Sequence, residues 1–554
     1  MRKLNISLGL LVAVLLASLT AGQEARPAAK VADDFVSARP SEPVPPPLAA
    51  ALAGIKAPAL AASIAFLASP SLEGRGLGSG GLDAAAEYIA ASLALAGVPP
   101  LAGRDEKKPT PEAYFQPVPS REITGFAGEV TVETRRGEEI RTRSFLSGLD
   151  CLFSEAPPQS IAAPVVFAGY GLREEKLGRD DYKSLDARGR IVLVLGGLPS
   201  GPEWQKPELV ARYGAEKPRE RWAVKVETAR AAGAVAVLGM EGDDFATRLV
   251  NTEAVEPRFF LPFGSAGVAD AAPLVRLSPA TADAILAAVG LDSASARAAK
   301  PITLPGVTVT VRVGGSERLI TSRNVIAFIA GSDPKLREDA IVIGAHMDHL
   351  GRVRDIVYPG ADDNASGVSA LLEIAKAFAA RSGTPKRTLV FAFWTGEEEG
   401  KLGSGYWVRH PLWPLGRTIA YLNLDMIGHP WSTEEIRKLV ADAGLPNGEQ
   451  FLERVKPAEF AEPGVAEWSP ELAEALRRAG PAAGLALHLD RTDGKNGGSD
   501  YRDFARAGVP FVRFFGNFFP AYHEPGDTPD QLDPAQVQRM ARLCLATAWL
   551  LANR

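Results

Sequence analysis

Cysteine is almost missing from this chain: Cys151 and Cys544 are the only two in 554 residues. That excludes a disulfide framework as the source of stability, and a zinc site built on thiolates lacks its ligands. Cys544 sits in a helical pattern, so a buried thiol is expected there rather than a bridge. Histidine is also scarce, with six in the chain. Neither sign of charge dominates. The net charge is -5 and the isoelectric point is near 5.9, with basic residues scattered among acids. No basic stripe exists, which argues against a nucleic-acid partner. No G-x-S-x-G elbow and no H-E-x-x-H pair occurs, so neither a serine-hydrolase elbow nor that zinc helix can carry the chemistry. There is no internal repeat.

Long hydrophobic runs are missing too, apart from the first residues, "MRKLNISLGLLVAVLLASLTAG". Arg2 and Lys3 supply a positive start, Leu4 to Leu19 an apolar core, and Thr20-Ala21-Gly22 a small-residue cleavage site. Residues 1–22 are therefore expected to be a signal peptide, and the protein to be exported, periplasmic or extracellular. No membrane association beyond export is expected, because the later apolar stretch "LCLATAWLL" is short.

What is present is an ordinary globular composition, 46% apolar and 23% charged, enough for a large core. The length suggests two to four domains. The Ala/Pro-rich stretch 23–55 reads as a linker. Residues 56–144 are expected to be an N-terminal part of the same domain as 306–554. Within it "GLGSGG" at 76–81 satisfies G-x-G-x-x-G, but no buried strand precedes it, so a dinucleotide site is excluded. Residues 145–300 read as a smaller α/β unit, with strands in "APVVFAGYGL", "GRIVLVLGGLP" and "AGAVAVLGM" and the helix "RWAVKVETARAAG". From 306 to 554 strand, loop and helix alternate, which implies a mainly parallel sheet sandwiched by helices.

The chemistry-bearing residues fall at the carboxyl ends of these later strands, the edge where open α/β sheets bind ligands. After "AIVIGA" come His346 and Asp348; after "TLVFAFWTG" come Glu397 and Glu398; Asp425 follows "TIAYLNL", and His523 follows "VPFVRFFGNFFPAY". Between them "PGADDNASG" places Asp362 and Asp363 at a helix mouth hemmed by glycines. An N-cap explains one acid there but not two. Two histidines with several carboxylates suit a borderline divalent metal such as zinc. Two zinc ions can share a site when a carboxylate bridges them, and Asp362 is the candidate bridge. Asp362, Asp425 and Glu398 offset three of the four positive charges and a solvent anion the fourth. Glu397 is left over as a general base.

The segments "GAHMDHLG", "PGADDNASG", "TGEEEGKLGSGYW", "LNLDMIG" and "YHEPGDTPDQLD" resemble the signature of metallopeptidase family 28, the co-catalytic two-zinc aminopeptidases and their relatives. The resemblance covers 306–554 and reaches back through "LASPSLEGRGLGSGGLDAAAEYIA". The 145–300 stretch resembles the protease-associated (PA) domain inserted in such proteins. The resemblance implies that Asp362 bridges two zinc ions, that His346 and Asp425 complete one site, and that Glu398 and His523 complete the other. It makes Glu397 the base and has Asp348 accept a hydrogen bond from the His346 ring. It puts Asp363 just after a cis peptide bond, where it helps aim its neighbour. Asp500 and Tyr501, in "GGSDY", fall at substrate-binding positions. Two departures stand out: Lys401 where Leu is frequent, and Tyr501 where His is common.

The expected activity is removal of N-terminal residues from peptides with a free amino end. Alternatives are a two-zinc carboxypeptidase or dipeptidase, glutaminyl cyclisation on one zinc, and a non-catalytic binding protein on the same fold. No arginine-rich motif announces a carboxypeptidase pocket, and no ligand is missing as a dead enzyme would require. Oligomeric state is not legible.

Overall fold

The computed structural model describes residues 33–40, 42–102, 110–153, 159–213, 218–240, 258–260, 273–353, 355–380 and 385–554. The segment read as a signal peptide lies outside them. Contacts divide the chain into two compact units, one mainly Glu122–Arg258 with Phe263–Arg318, the other mainly Arg26–Arg121 with Leu319–Arg554. The smaller unit therefore begins before, and ends beyond, the expected 145–300.

The strands of the smaller unit include β1 (Cys151–Phe153), β2 (Gln159–Phe167), β3 (Ile191–Leu195), β4 (Ala236–Met240), β5 (Leu274–Leu277) and the first half of the long strand β6 (Ile302–Ile329). Their order is β6-β2-β3-β4-β5-β1, parallel from β2 to β5 and antiparallel at both ends. The helix Pro218–Ala231 lies where the sequence predicts it. Its Lys225 is fully buried, and its ammonium donates to the carbonyls of Tyr170, Leu195 and Gly197 at 2.7–2.8 Å. Such saturation is what a buried lysine requires.

The larger unit holds β7 (Ala340–His346), β8 (Thr388–Trp394), β9 (Thr418–Leu424), β10 (Gly464–Ala466), β11 (Asp490–Thr492) and β12 (Phe511–Phe514). They run in the order β11-β10-β12-β9-β7-β8, with the end of β6 beside β8. β7 is parallel to both β8 and β9, β9 to β12, and β10 to β11, while β6 pairs antiparallel with β8 and β10 with β12. Every residue of β7 and β8 is buried, because helices cover both faces; hence these strands read as continuous apolar runs instead of alternating ones.

The helices of this unit include α1 (Pro46–Gly54), α2 (Ala57–Leu67), α3 (Gly80–Leu95), α4 (Gly367–Ala379), α5 (Leu402–Arg409), α6 (Pro470–Ala483) and α7 (Pro534–Asn553). α1 lies inside the stretch read as a linker and corrects it. Pro46 and Pro47 open the helix, where proline is tolerated, and Leu48, Ala51 and Leu52 are buried in the same core as α4 and α7. The short strand Phe35–Val36 pairs with Leu487 and His488, so the chain joins the core well before residue 55. Among the described residues no single helix is long and apolar enough to cross a membrane. Cys151 and Cys544 are both buried free thiols.

Candidate metal centre

β7, β8 and β9 end side by side: His346 pairs in register with Trp394, and Gly344 with Asn423. The chain then breaks into loops that carry His346–His349, Glu397–Glu398 and Asp425. A fourth segment, Ala361–Ser366, leads into α4. It starts at Gly360, whose φ is +60° and where a Cβ would meet the Asp363 carbonyl oxygen at 2.3 Å and the His349 ring at 2.5 Å. Only glycine fits there. Neither acid caps α4; the Gly367 amide at its start donates to Asn364 Oδ1 at 3.0 Å.

Asp363, not Asp362, faces the cluster. Its Oδ1 lies 3.3 Å from His346 Nε2, which is 3.2 Å from Asp425 Oδ1. Its Oδ2 lies 3.1 Å from His523 Nε2, which is 3.2 Å from Glu398 Oε2. Asp363 thus gives one oxygen to each of two triads. Ligands about 2.0–2.2 Å from a tetrahedral zinc stand roughly 3.3–3.6 Å apart, close to the histidine-to-carboxylate distances in both triads. Asp362 turns the other way: Oδ1 accepts the Gly428 amide at 2.7 Å and Oδ2 lies 2.6 Å from His429 Nδ1. The backbone leaves helical angles at Asp363 (φ -105°, ψ 90°), which sends consecutive side chains to opposite sides. The cis peptide bond joins Asp363 to Asn364, following Asp363 and not preceding it.

Asp348 also differs from expectation. The His346 ring Nδ1 lies 3.2 Å from the Asp348 main-chain carbonyl but 3.9 Å from its carboxylate. Donation to that carbonyl leaves the Nε2 lone pair facing the acids. The Asp348 carboxylate instead accepts the amides of Glu397 and Glu398 at 3.1 and 3.2 Å. Asp527 repeats the device, accepting the amides of Asp362 and Asp363 at 2.8 and 3.1 Å. Two buried carboxylates therefore each grip two successive amides of a loop that presents a cluster acid.

His349 adds a contact at the second triad, its Nδ1 2.8 Å from Glu398 Oε1, so that Oε2 is the oxygen turned toward His523. Glu397 is nearly buried and pairs with Lys401 Nζ at 2.8 Å. Asp500 and Tyr501, expected to touch substrate, are buried. Asp500 accepts the Ser404 hydroxyl at 2.5 Å, and the Tyr501 ring stacks on Phe511 at 4.8 Å. Their positions just before and at the start of the helix Tyr501–Arg506 turn both inward.

The electrostatics follow from burying so many acids together. Burial lifts Glu397 to about 8, with Lys401 and His346 opposing it. Burial lifts Asp500 to about 7 and Asp527 to about 6. Burial and Asp363 push Glu398 up, but His349 and His523 outweigh them and hold it near 2. Burial disfavours the His523 cation, yet Asp363 and Glu398 raise it to about 10. The acids that raise the proton affinity of His346 and His523 would equally favour a divalent cation in the proton's place.

Asp527, His349, His429, Arg75 and Lys401 carry contacts that the sequence reading did not assign. Asp527 and Arg75 lie within segments already conspicuous there, "YHEPGDTPDQLD" and "LEGRG".

Comparison with known proteins bears on this arrangement. The sequence pattern of Peptidase family M28 matches residues 324–548. A protein of Trichophyton verrucosum named "Probable leucine aminopeptidase" is 29% identical over 238 residues, 41% of this chain and 57% of that one. A Pyricularia oryzae protein named "Probable zinc metalloprotease" is 30% identical over 295 residues, 47% of this chain and 56% of that one. The match thus spans little more than half of either relative. Among solved structures, the aminopeptidase from Aneurinibacillus sp. strain AM-1 shares the fold, with a TM-score of 0.53 at 21% identity over 91% of this chain and 96% of that one.

Proposed function

We propose that this chain, which matches the pattern of Peptidase family M28 over residues 324–548, is an exported two-zinc aminopeptidase. The observation that carries this reading is Asp363, one carboxylate whose two oxygens each complete a triad. His346, Asp363 and Asp425 would hold one zinc, and Asp363, Glu398 and His523 the other. When bound, the pair supplies Lewis-acid activation of water and of the scissile carbonyl.

The chain's own residues do the rest. Glu397, a buried carboxylate outside both triads and next to the cluster acid Glu398, takes the proton from the attacking water and passes it to the leaving amine. Its raised proton affinity suits that exchange, and Lys401 holds its Oε1 side. Asp425 and its neighbouring acids attract the substrate's free ammonium, which selects peptide N-termini. Asp348 and Asp527 keep the acid-bearing loops in register. Substrates are peptides with an unblocked amino end, and the work is done outside the cytoplasm.

The test uses leucine p-nitroanilide and its N-acetylated form, with chelator and after zinc is restored. Cleavage of the free-amine substrate alone, lost on chelation and recovered with zinc, supports the reading. Glu397→Ala is expected to lower kcat by about 10²–10⁴-fold while the protein retains its zinc. Chelator-resistant cleavage, or cleavage of the acetylated substrate at an equal rate, would overturn it. N-terminal sequencing of the exported protein checks removal of the leader.

A further inference from the structure

Arg75 ends the turn Pro70–Arg75, in which Glu73, Gly74 and Arg75 all have positive φ, between 49° and 70°. Two of the three carry a side chain in a conformation that disfavours one. The turn aims the Arg75 side chain inward, where it is 1% exposed. Its guanidinium donates to four main-chain carbonyls. Nε reaches Met347 at 2.9 Å, Nη1 reaches Leu67 at 2.5 Å and Pro359 at 2.8 Å, and Nη2 reaches Gly360 at 2.8 Å. The main chain joins in: the Arg75 carbonyl accepts from the His349 amide at 3.2 Å and the Gly74 carbonyl from the Gly351 amide at 3.0 Å.

These partners are not arbitrary. Met347 sits between His346 and Asp348, and Gly360 opens the loop that carries Asp363. One planar fork therefore ties the end of α2, the loop after β7 and the loop before α4. A buried guanidinium with no carboxylate in direct contact is costly. Asp348, Asp527, Asp363 and Glu398 surround it at longer range and supply the opposing charge. Arg75 is thus both a spacer between the loops and a fixed cation behind the acid cluster.

We propose that Arg75 is a positioning residue that sets the separation of His346 from Asp363, and thereby the affinity of both metal triads. This rests on the two-zinc reading. Lysine cannot take its place, because an ammonium is a point donor without the fork that spans four carbonyls.

The experiment compares the full chain with Arg75→Lys and Arg75→Ala. Zinc affinity is read by competition with a chromophoric chelator, and amide hydrogen exchange by mass spectrometry over 347–351 and 358–363. Both variants are expected to hold zinc about 10–100-fold more weakly. Their two segments should exchange faster, and kcat at saturating zinc should fall more than KM changes. Millimolar methylguanidinium should restore part of the zinc affinity of Arg75→Ala, and methylammonium should not. Parent-like zinc affinity and exchange in Arg75→Lys would overturn the proposal, even if Arg75→Ala fails to fold. If the parent chain binds fewer than two zinc ions, the two-zinc reading fails by itself. Exchange over the two segments then still decides whether Arg75 fixes the loops.

Discussion

Replacing Asp348 by Asn separates two ways of building this site. If the Asp348 carboxylate oriented the His346 imidazole, the variant would weaken the triad containing His346. The geometry instead assigns that contact to the Asp348 main-chain carbonyl, which the substitution leaves in place. The carboxylate grips the Glu397 and Glu398 amides. Asn is isosteric, but only one of its two side-chain termini accepts; its NH₂ would meet one amide donor to donor. One buried N–H left without an acceptor costs about 1–3 kcal/mol. Loosening of a ligand-bearing loop by loss of such a partner lowers metal affinity about 10–100-fold. Zinc titration followed by NMR of ¹⁵N-labelled histidine rings reads each triad separately. The expected result is a His523 signal that needs more zinc to shift, while His346 responds as in the parent. Selective weakening at His346, or no change at either ring, would refute the reasoning.

Three further outcomes follow from the same geometry. Asp362→Asn is expected to keep two zinc ions per chain but to lower stability by about 1–3 kcal/mol, because a fully buried acceptor of Gly428 and partner of His429 is altered; atomic emission and urea unfolding check this. In the metal-free protein His523 has its proton affinity raised to about 10, so its ion pairing is fully present below the ordinary value of about 6.5 and fades as pH rises through the folded value. Zinc competes with that proton, so apparent zinc affinity should climb between those two values, about tenfold per pH unit for each proton displaced, by calorimetry in several buffers. Lys401→Met removes the cation that opposes protonation of Glu397; the acidic limb of kcat/KM should then move to higher pH, with zinc content unchanged.

The parallel sheet was readable because β7 and β8 are buried on both faces and appear as unbroken apolar runs, each stopped by polar residues at its carboxyl end. The same stops gave His346, Glu397, Glu398, Asp425 and His523. The choice between Asp362 and Asp363 was not readable, since it depends on a local departure from helical backbone angles that two adjacent acids do not encode. Arg75 acts across 272 and more positions of sequence, a relation that only tertiary packing creates. The linker reading failed over the helix Pro46–Gly54 for a different reason. Alanine and proline are abundant both in tethers and in a helix that opens on proline, and only burial of Leu48 and Leu52 separates the cases. Asp500 and Tyr501 stood near other polar residues in sequence, but the turn before the helix Tyr501–Arg506 directs them into the interior.

The bridging carboxylate is the central claim, and zinc stoichiometry tests it most directly. The parent chain, Asp362→Asn and Asp363→Asn are purified, loaded with zinc, freed of excess and measured by atomic emission against protein concentration. The account predicts two zinc ions in the parent and in Asp362→Asn, and fewer than two in Asp363→Asn. Two zinc ions in Asp363→Asn together with loss in Asp362→Asn would contradict it.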